Sequence, residues 1–199
     1  MLKALATCSG LLLAGGLTFL NPAASPAPFP NAPAYSAKGA LLTPKNYREW
    51  QYLTTGVDMS YASTTEPQNH IFDNVFVNPE SYAEFKRTGT WPDKTTFILE
   101  VRGADSPVSI NKRGHTQSAQ VRGLEIHVKD KGEWSFYEGA AGKDEAELLP
   151  KTAACYSCHE SHGAVATTFV QFYPTLLPIA TEKKTLSPEY LKESAEAKP

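Results

Sequence analysis

Apolar and polar positions alternate with period two through most of the chain's middle. Runs of this kind are "HIFDNVFV" (70–77), "TTFILEVR" (95–102), "PVSINKRG" (107–114), "AQVRGLEIHVKD" (119–130) and "EWSFYEG" (133–139). Such alternation predicts strands with one face buried, and short polar breaks between the runs predict an antiparallel arrangement. Two stretches carry helical punctuation instead. In "LLTPKNYREWQYLTT" (41–55) Thr43 stands as an N-cap before Pro44, and Tyr47, Trp50 and Leu53 fall on one helical face. In "NPESYAEFKRTG" (78–89) Asn78 is the N-cap, Pro79 the first helical residue and Gly89 the stop. The fold class expected is therefore mainly β (α+β), an antiparallel sheet with a few short helices.

The ends of the chain read differently from its middle. Residues 1–27, with an end as late as about residue 34, combine Lys3, an apolar run from Ser9 to Leu20 and then small residues and prolines. This is the pattern of a secretory signal. The run is short of the roughly 20 apolar residues of a membrane span, so cleavage is expected ahead of retention as an anchor, and the destination is periplasmic or otherwise exported. A Pro/Ala-rich leader (28–40) precedes one domain (41–181). Within that domain "TTFVQFYPTLLPIA" (167–180) is expected to pack back on the body. A charged tail (182–199) follows, with a helical turn starting at Ser187. With 19 basic against 21 acidic residues and no Lys/Arg run longer than two, the chain lacks the electrostatic footprint of a nucleic-acid binder.

Cysteine usage changes the picture. Cys8 lies in the leader, so the mature chain keeps only Cys155 and Cys158, in "AACYSCHESHG" (153–163). C-x-x-C followed by His159 matches c-type haem attachment: two thiols add to the two vinyl groups, and the next residue is held beneath the iron as its axial ligand. Export suits that chemistry. A local disulfide and a zinc site are the alternatives, although zinc would need a fourth ligand and only His162 is near. Met59 is the single methionine left in the mature chain, more in keeping with core packing than with iron ligation. Helical electron-transfer cytochromes carry the motif early, whereas here it stands behind a strand-rich body.

Several stretches together resemble the cytochrome P-460 family, including the β-sheet cytochromes c′: "LLTPKNYREW", "VNPESYAEFKRTGTWPDKT", "INKRG", "GLEIHVKD", "GEWSFYEG" and "CYSCHESHGAVATTFVQFYP", spanning residues 41–174. The resemblance implies an exported homodimer whose sheet carries one covalent, five-coordinate haem c. In the hydroxylamine-oxidising members a lysine just before a Glu on the strand after the "PDKT" turn is cross-linked to the macrocycle. Here the matching residue is Leu99, before Glu100. By alternation Phe97, Leu99 and Val101 share a face, which makes an apolar wall of the distal pocket. Glu125 matches the carboxylate that those enzymes place over the iron, and is the candidate catalytic residue. Lys112 and Arg113 belong to an exposed turn. The expected function is binding of small nitrogen oxides or gases (NO, CO), with hydroxylamine oxidation through Glu125 second. Electron transfer to a redox partner protein comes third.

Overall fold

The structure is a computed structural model, and it describes residues 29–60, 69–107 and 109–197. The predicted signal segment and Cys8 lie outside the described residues. Seven strands form one sheet: β1 (Leu41–Leu42), β2 (Gln51–Val57), β3 (Ile71–Val77), β4 (Thr96–Asp105), β5 (Thr116–Asp130), β6 (Glu133–Gly139) and β7 (Glu145–Leu148). Their order is β1-β7-β6-β5-β4-β3-β2, antiparallel throughout. From β2 to β7 each strand lies beside its successor in sequence, as alternating runs joined by short connections require.

Four helices complete the described residues: α1 (Pro79–Thr88), α2 (Ala154–His162), α3 (Leu177–Lys183) and α4 (Pro188–Glu196). α1 begins and ends as its punctuation predicts, with Pro79 first and Gly89 left-handed at φ +77°. Asn78, however, does not cap with its side chain. Its amide donates to the carbonyls of Asn31 and Lys94 and accepts from the Thr96 N–H, tying α1 to β4. An added Cβ at Gly89 would lie 2.6 Å from Lys183 Cβ. The glycine therefore serves both the cap and the seat of α3.

Three elements differ from their sequence pattern. The helix expected after Thr43 is a single 3-10 turn, Tyr47–Glu49, and the chain then enters β2. Spacing of three also suits a strand with a bulge, and one occurs at Leu53, between Tyr52 and Thr54. Trp50 and Leu53 consequently join the two opposite cores. The described residues of "PVSINKRG" lie in the loop between β4 and β5, with Ile110 almost wholly exposed. Lys112 and Arg113 are exposed there, and Lys112 Nζ donates to the Ser109 carbonyl. The helix beginning at Ser187 extends over nine residues, longer than the single turn expected, with Ser187 Oγ accepting from the Tyr190 N–H.

The sheet divides two cores. Behind it lie Leu41, Trp50, Ile98, Leu124, Ile126, Val128 and Tyr137. In front, Val75, Val77, Phe97, Trp134 and Phe136 meet Phe85 of α1, Trp91 and the segment 164–180. Trp91 is buried between Phe85 and Phe97, at ring distances of 4.1 and 4.8 Å, and its Nε1 donates to Thr168 Oγ1 at 2.9 Å. That bond fastens the segment following α2 to the front of the sheet, where the expected apolar return of 167–180 is found.

Candidate haem site

Front-facing positions of three strands form the floor of a cavity of about 510 Å³: β3 contributes Ile71, Asp73 and Val75, β4 Phe97, Leu99 and Val101, and β5 Glu125 and His127. The roof is Cys155, Cys158 and His159 of α2 with Thr168, Phe169 and Tyr173. A second hollow of about 380 Å³ shares Val101, Glu125, His127 and Cys155 and continues past Arg122 and Glu138. The volume lies within the range of roughly 300–1,000 Å³ found for cofactor and ligand sites. The structure thus brings together all the candidate residues, Phe97, Leu99, Glu125, Cys155, Cys158 and His159. The register explains how: Leu99 pairs with Glu125 and Phe97 with His127 across β4 and β5.

His159 is positioned by features with no signature in the sequence. Its Nδ1 lies 2.8 Å from the Thr167 carbonyl oxygen. A carbonyl only accepts, so Nδ1 carries the proton and the lone pair is on Nε2, the arrangement of histidines that ligate metals. The carbonyl reaches this point because the chain folds back tightly after α2, through Ala166 and Thr167 at φ +45° and +59°. Gly163 makes room, since a Cβ there would lie 2.5 Å from the Thr167 carbonyl carbon and 2.6 Å from the His159 oxygen. Phe169 stacks on the imidazole at 4.2 Å, with Phe136 at 4.8 Å and the edge of His127 at 4.9 Å. Burial lowers the pKa of His159, against a smaller upward effect of the Thr167 bond.

These residues fit a c-type haem: two thiols on one side of an apolar hollow, with a neutral imidazole nitrogen beside them. A zinc reading is less well served. Among the described residues no three His, Cys, Asp or Glu side chains are grouped to hold a metal ion, and His162 is exposed, its Nδ1 3.2 Å from Glu193 Oε2.

The cavity wall is more mixed than alternation in β4 implies. Phe97, Leu99 and Val101 form the expected apolar strip, but Asp73 adds a second carboxyl group beside Glu125. Neither makes a hydrogen bond or ion pair among the described residues. The Glu125 carboxylate opens into the hollow, and protein surrounds it closely enough for burial to raise its pKa, helped by the charges of Asp73 and Glu138. Asp73 is raised by burial and by Asp58. His127 is driven down to about 3, chiefly by burial and then by His159, and is neutral at any physiological pH. Asp73, Phe136, Thr167 and Phe169 escape a reading of sequence alone, whereas alternation already turns His127 to the same side as Glu125, toward solvent or the pocket.

A comparison with curated proteins gives no match. The family model for Cytochrome P460 matches residues 44–170, a stretch that runs from the turn before β2 through every strand of the cavity floor to the roof segment behind His159. With most of its length matched and a cavity of this donor chemistry inside the matched span, the chain belongs to the cytochrome P460 family and is a haem-binding cytochrome.

Proposed function

We propose that the protein is an exported, homodimeric, mono-haem c-type cytochrome that binds a small uncharged ligand, nitric oxide or carbon monoxide. Cys155 and Cys158 hold the haem through thioethers and His159 Nε2 is the axial ligand. When bound, the haem would supply an iron able to take a small ligand, with Leu99, Phe97 and Glu125 lining the space beside it. The observation that carries this reading is the aliphatic Leu99 facing Glu125 across β4 and β5, in a cavity whose described lining includes no lysine, Arg122 lying only in the adjoining hollow. Among the described residues no lysine lines the cavity to modify the macrocycle. Lys94, five residues before Leu99, instead sits 6.0 Å from the ring of Phe29. An unmodified haem behind a largely apolar wall favours diatomic ligands over polar substrates.

One observation favours a second reading, hydroxylamine oxidation. Glu125 and Asp73 are cavity carboxyl groups without cationic partners among the described residues, and a carboxylate of raised pKa is a better proton acceptor than an ordinary one.

Intact mass and spectra test the assignment. The mature protein should weigh as apoprotein plus one haem, with haem retained on the peptide containing Cys155 and Cys158 alone. Loss of both cysteines to alanine should abolish covalent haem, and His159→Ala should change the resting spectrum while the thioethers persist. Haem on a second, lysine-containing peptide would overturn the gas-binding reading.

A further inference from the structure

Met59 is the one cavity residue carried neither by a floor strand nor by the segment from α2 to Tyr173. It follows β2 and lies at the rim beside Ile71 and Asp73, with 37% of its surface open. Its place is prepared by Gly56, which pairs with Asp73 in the sheet. A Cβ built on Gly56 would stand 2.4 Å from Met59 Sδ and 2.8 Å from its Cγ. Any side chain at position 56 would therefore fill the seat that the thioether occupies. The residue before Met59 is held as well: the Asp58 carboxylate accepts from the Ile71 N–H at 2.8 Å and stands 2.6 Å from His70 Nδ1. The backbone leading into Met59 is thereby fastened to the start of β3.

The rest of the wall is less adaptable. Ile71, Val75, Phe97, Leu99 and Val101 project from paired strands and have stiff β-branched, γ-branched or aromatic side chains. Met59 is unbranched, flexible and half in the cavity, a shape that yields to a small ligand and obstructs a larger one. We propose that Met59, seated on the bare α-carbon of Gly56, sets the size of ligand that enters the cavity, admitting diatomic molecules and holding out branched ones. This rests on the gas-binding reading of the same cavity.

The test uses the reduced holoprotein at matched haem content and follows, by stopped flow, the binding of carbon monoxide and of alkyl isocyanides from methyl to tert-butyl. Methylene-scale steric discrimination in a pocket is worth about tenfold or more, so tert-butyl isocyanide should bind at least about tenfold faster to Met59→Ala than to wild type, with carbon monoxide accelerated far less. Gly56→Ala, whose Cβ displaces the sulfur while leaving position 59 a methionine, should also change the tert-butyl isocyanide rate more than the carbon monoxide rate. Met59→Leu, which restores bulk, should return toward wild type. Isocyanide rates that do not change in Met59→Ala and Gly56→Ala would overturn the role of Met59 while wild-type carbon monoxide binding upheld the gas-binding reading. Carbon monoxide binding only after Met59→Ala would also overturn it, by making the thioether an iron ligand and not a filter. No ligand binding to any of the proteins would overturn both.

Discussion

Glu100 and Glu125 lie on neighbouring strands, one register step apart and on opposite faces of the sheet. Glu100 faces back and is wholly buried. Arg48 and Arg102 pair with it, the latter at 2.6 Å, Tyr47 donates to it, and Asn74 Nδ2 approaches at 3.3 Å. Burial is the largest single influence on its pKa and works against the charge. The bonds from Arg102, Arg48 and Tyr47 together outweigh it and hold the value at about 2. Glu125 faces forward with no cation among the described residues, so burial prevails and its pKa rises. The same side chain in the same sheet is a structural tie on one face and an unpaired carboxyl group opening into the hollow on the other. Partners, not burial alone, decide which.

Removing the paired carboxylate should have the largest effect. Glu100→Ala leaves Arg102 nearly buried without its counter-charge, and breaking such a pair costs about 3–5 kcal/mol. Urea unfolding should show that loss, and a midpoint equal to wild type would dissolve the structural half of the comparison. Glu125→Gln should cost no comparable stability. If the protein binds gas, ligand affinity should change by under about tenfold, near 1 kcal/mol. If it oxidises hydroxylamine, turnover with an artificial electron acceptor should fall about 10²–10⁴-fold. Nitric oxide binding and turnover measured side by side separate the two.

Acid titration sharpens the contrast. The depressed pKa of Glu100 means that its contribution is full above the ordinary value of 4.5 and is lost as pH falls toward about 2. Glu125 has the opposite sign: its raised pKa adds stability below the ordinary carboxylate value, and that contribution disappears as pH rises through the folded-state value. Stability curves of wild type and Glu125→Gln should therefore diverge on the alkaline side of the carboxylate range, whereas those of wild type and Glu100→Gln should lie apart above that range and converge as pH falls toward about 2. The smallest effect expected is that of Asp73→Asn on Glu125. Burial, the larger cause of the shift, is untouched, so the Glu125 pKa should move down only part of the way when followed by infrared carboxyl titration.

What could be read along the chain was local. Two cysteines and a histidine within five residues fall on one short helix, so the C-x-x-C-H motif could be recognised without tertiary information. Asn78, Pro79 and Gly89 bound α1 through contacts inside a dozen residues. Alternation also gave Phe97, Leu99 and Val101 a common face, because side chains in a strand change sides at every residue. Alternation does not say which face becomes a cavity. That was decided by the packing of α2 and the segment 164–180 against the front, through Trp91–Thr168 and the front core. The strand after Trp50 likewise depended on pairing with β3, which overrode a spacing that a helix would have satisfied equally well. Asp73, Thr167 and the Arg48–Glu100–Arg102 network join positions far apart in the chain. Electrostatic character belongs to such encounters: a carboxylate's partners are fixed only when strands pair and the segments around them close.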